Sequence, residues 1–271
     1  MSANQPGTFS RIGNLVKNRK ILALLVRRDL KVRYADSVLG YVWSILDPLM
    51  MALIFWFVFT KIFSRGVGED PYIVFLLAAM LPFNWFQNAI NDSANALRGS
   101  ARLIRSTALP REIWVVRLVF SKGIEFLLSL PVILAFAIFG GAAFNWQLLY
   151  FVPAMIIQIL LITGLGLIIS PLVVMVRDVE RIVKIGMRFL FYATPVIYGL
   201  GDIYEAGISG FIRTLYILNP MAGLISLYRS GFFPDQLHWD AVIASACVSL
   251  IIFFIGWRVF AKLENQILKE L

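Results

Sequence analysis

The sequence predicts an all-α integral membrane protein with six transmembrane helices, an N-terminal amphipathic interface helix and two short re-entrant helices between the last two spans. Three observations support this fold class. The 271-residue chain is 59% hydrophobic and only 15% charged, with a mean hydropathy of +0.79, whereas soluble domains are about 45–50% apolar and about 25% charged. Apolar windows of spanning length recur along the chain. Basic residues cluster between alternate windows, as cytoplasmic connections require.

The first element is a polar, basic segment, residues 1–37, which is interpreted as a cytoplasmic tail. It lacks the short apolar stretch and small-residue cleavage site of a signal peptide. Within it, residues 10–33 place apolar side chains among lysines and arginines, which predicts an amphipathic helix that lies along the membrane surface without crossing it. The apolar side chains are Leu15, Ile21, Leu22, Leu25 and Val26.

Six apolar windows follow and make up a transmembrane domain at residues 38–271, since each span needs about 20 residues. The windows are residues 38–63, 72–97, 113–139, 146–176, 182–200 and 241–260. Eight lysines and arginines precede the first window, and further clusters follow the second and the fourth: Arg98, Arg102, Arg105 and Arg111, then Arg177, Arg181, Lys184 and Arg188. Both termini are therefore predicted to be cytoplasmic in a multi-pass membrane protein.

The connection before the last window, residues 201–240, is expected to lie on the outer side. It contains two apolar runs that are too short to span and are separated by Asn219 and Pro220. They predict two short helices that dip back into the outer leaflet, which is tolerated only where protein or a water-filled cavity satisfies their backbone. A transport pathway is indicated.

Several chemistries are excluded by missing residues. No GxxxxGK[ST], GxSxG or HExxH motif is present, so this chain is not expected to hydrolyse ATP alone, and a membrane enzyme would have to use carboxylates. The single Cys247 and single His238 exclude an intrachain disulfide and make a metal site improbable. The net charge of +9 is explained by cytoplasmic anchoring, so no nucleic acid partner is expected. Gly164 and Gly166 lie inside an apolar window and are interpreted as helix-packing positions.

Three carboxylates, Asp47, Asp92 and Glu125, lie within or near predicted spans. Intramembrane acids are costly and mark candidate functional sites. Structural or cavity-lining roles are favoured for all three, because Glu125 lies one turn from Lys122 and Asp92 belongs to a polar run. A proton-coupled transporter that uses these carboxylates stays open as an alternative.

Aromatic residues suggest two further features. Phe55, Phe59 and Phe63 share one stripe of the first span, which is explained by packing or by a platform for the apolar faces of sugars. Five tryptophans are interpreted as membrane-interface residues, namely Trp85, Trp114, Trp146, Trp239 and Trp257.

The order of several short motifs resembles a known family over residues 25–263. The motifs are Leu25–Tyr34 with Leu39–Trp43 and Pro48-Leu49, then Leu81-Pro82-Phe83, Leu109–Glu112, Arg177-Asp178-Val179, and Leu218–Met221 with Tyr228-Arg229. The chain is similar to type-two ABC exporter permeases that move bacterial polysaccharides. The resemblance implies a homodimer in the bacterial inner membrane with two separate ATPase subunits, which carry the ATP and magnesium. This chain would then be a permease subunit and not itself an enzyme. Its substrate would be a lipid-linked glycan such as O-antigen, teichoic acid, capsule or galactan.

The resemblance also implies roles for particular residues. The connection at residues 98–111 would form the gate and coupling helix, with a cationic face of Arg98, Arg102 and Arg105 for the lipid head group or for membrane lipids. ATPase coupling would further involve Pro110, Arg111, Arg177 and Asp178. The channel would be lined by Phe55, Phe59, Tyr192 and Tyr198, and the outer gate would contain Tyr204, Tyr216, Asn219, Pro220 and Tyr228. Export of a small lipid or drug by the same architecture stays open.

Overall fold

The architecture comes from a computed structural model that describes residues 7–34, 40, 42–62, 68–205, 207 and 210–270. Within these residues the regular structure is helical. The α-helices are α1 (Thr8–Lys17), α2 (Arg19–Tyr34), α3 (Val42–Trp56), α4 (Tyr72–Gly99), α5 (Ala101–Ser106), α6 (Ile113–Gly140), α7 (Phe151–Met175), α8 (Asp178–Ala193), α9 (Leu200–Glu205), α10 (Gly210–Leu218), α11 (Pro220–Ser230) and α12 (Trp239–Glu270). A π-helix, Phe57–Ile62, extends α3, and 3-10 helices Trp146–Tyr150 and Pro234–Gln236 precede α7 and α12.

Helix α4 is the centre of the bundle, and most of its residues are buried. It packs against α3, α6, α7, α8 and α11. We call the two ends of the molecule the Tyr72 end and the Gly99 end, after the first and last residues of α4. These ends correspond to the predicted outer and cytoplasmic sides, respectively.

Five helices of the described part of the chain are long and apolar enough to cross a membrane. They are Ile45–Ile62, Tyr72–Gly99, Ile113–Gly140, Trp146–Met175 and Trp239–Glu270. The all-α membrane fold class is therefore confirmed, and the bounds of the second, third and fourth spans agree closely with those expected. The limits expected for the first span, residues 38 and 63, lie outside the described residues.

The segment expected to be the fifth span differs most from the prediction. Its helix, α8, has 16 residues, contains no buried residue and ends at Ala193 instead of Leu200. Helix α8 packs against α4, and its Glu180 interacts with Asn95 near the Gly99 end. The segment after α8 reaches the Tyr72 end, where the Ile197 carbonyl accepts a 2.9 Å hydrogen bond from the Tyr72 hydroxyl. A six-span count remains a prediction.

The connection before α12 contains the two short helices that the sequence predicts. Helices α10 and α11 meet at Asn219 with a bend of 72° and together are long and apolar enough for a sixth span. The Asn219 side chain accepts a hydrogen bond from the amide of Met221, and Pro220 starts α11, as expected for a helix N-cap and its first residue. Every residue from Met221 to Ser230 is buried among the Tyr72 ends of the neighbouring helices.

The predicted N-terminal amphipathic helix is divided in two. The division falls at Asn18, whose side-chain amide donates a 2.8 Å hydrogen bond to the Asn14 carbonyl. Leu15 and Val26 are buried. Leu15 belongs to a cluster with Leu97, Trp114 and other residues of the Gly99 end, and Leu22 and Leu25 pack against this cluster. The apolar face of this segment thus packs at least partly on protein.

The interpretation of the tryptophans as interface residues is wrong for three of the five. Trp85, Trp114 and Trp257 are buried inside the bundle, whereas Trp146 and Trp239 are exposed. The Trp85 ring stacks on Phe126 with centroids 5.2 Å apart. Trp114 and Trp257 belong to the cluster of the Gly99 end, and Trp85 belongs to the main core around α4.

Helices α7 and α12 approach each other closely at glycines. A methyl group built on Gly256 would lie 2.3 Å from the Gly164 carbonyl oxygen, and one on Gly164 would lie 2.6 Å from the Ile252 carbonyl oxygen. Small residues allow such backbone approach in membrane bundles. The prediction that Gly164 and Gly166 are packing positions is confirmed, since a methyl group on Gly166 would also collide with Val115 and Ser93.

We expect Gly256→Ala to destabilise the protein by about 1–3 kcal/mol, because the added methyl group overpacks a backbone contact. The measurement is the thermal midpoint of the detergent-solubilised protein, followed by size-exclusion chromatography after heating. The matched control is Gly13→Ala on α1, where the new methyl group has nothing within 4 Å. Equal midpoints for the two variants would contradict this account.

Candidate functional site

A polar cavity of about 610 Å³ lies inside the bundle between α2, α3, α4, α6 and α8. It is lined by Arg33, Trp43, Asp47, Pro48, Met51, Met80, Leu81, Asn84, Trp85, Gln87, Asn88, Asp92, Lys122, Glu125, Phe126, Ser129, Arg188, Phe191 and Tyr192. A smaller cleft of about 390 Å³ adjoins it toward the Gly99 end and shares Arg33 and Asp92 with it. Polar space thus extends from the Gly99 end to the middle of α4.

Four charged side chains form a network at the junction of the cavity and the cleft. The Arg33 guanidinium is 2.6 Å from the Asp92 carboxylate and 3.5 Å from that of Glu125. The Lys122 ammonium is 2.8 Å from Glu125 and 3.8 Å from Asp92. The expected local pair between Lys122 and Glu125 is therefore present. All three carboxylates considered from sequence, including Asp47, line the cavity.

Two further charged clusters attach the N-terminal helices to the Gly99 end. Arg11 bridges Glu112 at the start of α6 and Glu264 near the end of α12, and Glu264 also pairs with Arg111. Burial lowers the pKa of Arg11, but the hydrogen bonds that its guanidinium donates to Glu264 and Glu112 outweigh this effect and keep the pKa above its usual value. Farther along α2, Asp29 pairs with Arg117.

The residues expected to couple to an ATPase lie together at the Gly99 end. Arg98, Arg102 and Arg105 are exposed, but they do not share one helix, because the chain leaves the helical path at Ser100 between α4 and α5. The helix of this connection has six residues instead of covering residues 98–111. Pro110 and Arg111 follow it and are half-buried.

Arg177 and Asp178 stand exposed at the start of α8, at the same end of the bundle. Asp178 and Glu180 occupy the first turn of α8, where negative charge is stabilised by the helix dipole.

The residues expected to line a channel lie on or beside α3 and α8. The Phe55 ring is 6.3 Å from that of Phe191 and 6.4 Å from that of Phe59, and both Phe55 and Phe59 are half-buried. Tyr192 is 63% exposed. Tyr198 lies beyond the end of α8, where its hydroxyl donates a 3.0 Å hydrogen bond to the Tyr192 carbonyl.

The residues expected at an outer gate lie at the Tyr72 end, in two environments. The hydroxyls of Tyr198 and Tyr216 are 3.1 Å apart, and Asn219 donates a 2.9 Å hydrogen bond to the Thr194 hydroxyl. Tyr228, by contrast, is fully buried, with its ring packed edge-on against Phe151 and Phe126. It can influence a gate only through packing.

Tyr204 belongs to a small polar cluster at the same end. Its hydroxyl donates a 2.8 Å hydrogen bond to Asp240, and the Arg213 guanidinium lies 4.2 Å from its ring centroid. Burial, followed by the hydrogen bond to Asp240, raises the pKa of Tyr204. The His238 ring packs against Tyr204, and burial lowers the pKa of His238. Both groups are therefore neutral at pH 7.

Comparison with known proteins identifies the family. A sequence model described as ABC-2 type transporter matches residues 21–233. The chain belongs to the ABC-2 type transporter family. It is 32% identical over 247 residues to the O-antigen export system permease protein RfbA of Klebsiella pneumoniae, covering 91% of this chain and 93% of that protein. A Myxococcus xanthus protein of the same name is 28% identical, covering 94% and 96% of the two chains.

A third relative of this ABC-2 type transporter chain is the polysialic acid transport protein KpsM of Escherichia coli. It is 24% identical, over 96% of this chain and 99% of that protein. The similarity to these relatives extends over nearly the whole length of each. Residues 21–233 include every residue that lines the polar cavity. Among the residues that the structure describes, no group of three or more His, Cys, Asp or Glu side chains could hold a metal ion.

Arg229 of this ABC-2 type transporter chain is a buried cation with several hydrogen bonds, and sequence analysis assigned no role to it. It is 1% exposed and donates hydrogen bonds to the carbonyls of Phe75, Pro195, Val196 and Tyr198. Its guanidinium lies 3.5 Å from the Phe75 ring centroid. Arg229 therefore joins α11 to α4 and to the segment after α8. The sequence does contain a signal for such a role, because Arg229 lies in an apolar run without an adjacent acidic residue.

Proposed function

We propose that this chain is the membrane permease of an ABC transporter that exports a lipid-linked polysaccharide across the bacterial inner membrane. The observation that carries this proposal is the near full-length similarity to export permeases, 32% identity over 91% of the chain for one O-antigen permease. The sequence has no GxxxxGK[ST] motif, which is consistent with ATP and magnesium bound by a separate ATPase subunit. Both termini would then be cytoplasmic, at the Gly99 end.

The exposed basic residues of the Gly99 end form the proposed ATPase contact. Arg98, Arg102 and Arg105 project around the short helix α5 without ion pairs to any described residue, and Arg177 and Asp178 start α8 nearby. A short helix on this surface can transmit a displacement of the ATPase to α4 and α6, because α5 directly connects them.

A second copy of the chain is proposed to cover α8. This helix has no buried residue in the single chain, and its exposed apolar residues include Ile185, Phe189 and Tyr192. It also carries Arg181, Lys184 and Arg188, which are costly against lipid tails. Two copies that face each other through α3 and α8 would place these charges and Phe55, Phe59 and Tyr192 beside a polar channel. Tyr204, Tyr216 and the bend at Asn219 and Pro220 would close it at the outer end.

Replacing three arginines together by glutamate is expected to abolish export and ATPase association while the permease still accumulates in the membrane. These are Arg98, Arg102 and Arg105. Surface charges contribute little to folding, so the lost function would be due to the docking surface. The measurement combines surface glycan staining with copurification of the co-expressed ATPase subunit, in cells that lack the native chain. The matched control replaces the three residues by lysine. Export that persists without any ATPase, or in cells without this chain, would refute the proposed function.

A further inference from the structure

We propose that the polar cavity binds an uncharged glycosyl unit of the transported chain within a single protomer. This inference rests on the proposed polysaccharide substrate and adds a location and a ligand chemistry to it. The site would hold the sugar before the glycan reaches a channel between two protomers.

The unpaired amides of α4 are the first observation. Asn84, Gln87 and Asn88 line the cavity and make no side-chain hydrogen bond to any residue that the structure describes. They lie near the middle of a helix long enough to span the membrane, where polar groups without partners are costly. Their spacing puts them on one face of α4. The cavity must therefore contain water or a polar ligand at this face.

The balance of charge distinguishes between polar ligands. Three cations, Arg33, Lys122 and Arg188, face three carboxylates, Asp47, Asp92 and Glu125, so the formal charge of the lining is zero. Arg33 and Lys122 each lie within 4 Å of two carboxylates. A phosphate group would have to displace these carboxylates and would be repelled by them. An uncharged sugar would instead meet donors on the amides and cations and acceptors on the amides and carboxylates of the lining.

Aromatic rings supply the other half of a sugar site. Trp43 and Tyr192 line the cavity on α3 and α8, and they are 46% and 63% exposed. Their faces are available to the apolar C–H surface of a pyranose. Trp85 is not, because its indole N–H donates to the Val119 carbonyl at 3.2 Å and its ring stacks on Phe126. The volume of about 610 Å³ lies within the range of about 300–1,000 Å³ that small-molecule sites have.

The position of the cavity would let a sugar enter from the Gly99 end and leave toward α8. The adjoining cleft leads from the Gly99 end to the pair of Arg33 and Asp92, which the two spaces share. On the opposite side, Arg188 and Tyr192 belong to α8, the helix proposed to face the channel. A sugar bound at Asn84 and Asn88 would therefore lie between the cytoplasmic side and the channel wall.

Cysteine labelling tests the proposal. Because Cys247 is the single cysteine, Cys247→Ser gives a background in which Asn88→Cys or Gln87→Cys reports on the cavity. Inside-out vesicles are prepared from glycan-producing cells and from cells that lack the glycan's first glycosyltransferase, and a small membrane-impermeant maleimide is added. If the glycan is present at about four times its Kd, labelling should be about fivefold slower. Asn14→Cys, exposed on α1, is the control and should react equally in both membranes.

The outcomes separate this proposal from the proposed function. Equal labelling of both cavity cysteines in the two membranes, in a chain that is required for export, would refute the glycosyl site and leave the export function intact. Protection by added inorganic phosphate in glycan-free vesicles would assign the cavity to an anion and would also refute it. In export assays Trp43→Phe, which keeps a ring, should retain function, whereas Trp43→Leu should lose most of it. Equal export by the two variants would exclude stacking on Trp43.

Discussion

The Arg229→Leu variant should fail to accumulate in the membrane in a folded form. Arg229 provides the hydrogen-bond donors for a buried set of carbonyls on two segments, Phe75 on α4 and residues 195–198 after α8. Leucine fills similar space but donates no hydrogen bond, so the carbonyls of the irregular segment are left unsatisfied. Each buried carbonyl that is left without a donor costs about 1–3 kcal/mol, so the loss of several such hydrogen bonds is a large part of the stability of an ordinary protein.

The measurement for Arg229 is the amount of monodisperse permease after solubilisation and its thermal midpoint. Arg229→Lys should recover only part of the loss, since one ammonium cannot reproduce a planar guanidinium that reaches two segments. Arg213→Leu is the matched control, because Arg213 is exposed on α10 and contacts the Tyr204 ring at the surface. A midpoint for Arg229→Leu equal to that of the control would show that water replaces the lost donors.

The positions of the long helices could be predicted from sequence because they follow from apolar length alone. The windows at residues 72–97, 113–139 and 146–176 agree with the observed helices to within about three residues. The last window, 241–260, is shorter than α12, which continues to Glu270. The charged residues Lys262 and Glu264 end the apolar window. Helix α12 continues past them, and there Glu264 pairs with Arg11 and Arg111.

The fifth window could not be placed from composition. Residues 182–200 are apolar enough to suggest a span, but the amphipathic helix begins earlier, at Asp178, and Pro195 follows its end. Hydropathy also cannot tell which tryptophans face lipid. Trp85, Trp114 and Trp257 pack in the bundle because of helix neighbours that a single sequence does not reveal.

The candidate site could be predicted only in its local parts. The Lys122 and Glu125 pair follows from i, i+3 spacing, and the three carboxylates were expected to line a cavity. The partner of Asp92 is Arg33, 59 residues away in the sequence, so its identity depends on how α2 docks. Arg33 otherwise looks like one of eight basic residues of a cytoplasmic anchor.

The three charged clusters give the N-terminal helices a role beyond membrane attachment. Arg11, Asp29 and Arg33 each pair with a residue on α4, α6 or α12. If α1 and α2 move, these ion pairs must either break or move together with the helices that they join. Because Arg33 lines both the cavity and the cleft, movement of α2 would change access to the proposed sugar site.

Removing Lys122 should destabilise the protein strongly, and removing Glu125 with it should restore much of the loss. Lys122→Met leaves Asp92 and Glu125 to share Arg33, so the network carries one uncompensated negative charge. Breaking a buried ion pair in this way costs about 3–5 kcal/mol. In the double variant Lys122→Met with Glu125→Leu, the pair of Arg33 and Asp92 remains at 2.6 Å and charge is balanced again. Apolar replacement of a complete buried pair is often neutral or stabilising.

The measurement is a double-mutant cycle of thermal or denaturant unfolding on the two single variants and the double variant. The double variant should be more stable than Lys122→Met alone. Its loss of stability should also be smaller than the sum of the losses of the two single variants, which is the coupling expected for an ion pair. Matched replacement of the exposed pair Lys184 and Glu180, 2.6 Å apart on α8, should give little coupling, because water solvates each charge alone. Similar small coupling at Lys122 and Glu125 would mean that water in the cavity solvates them equally well. The network would then be a hydrated lining of the cavity instead of a structural contact between helices.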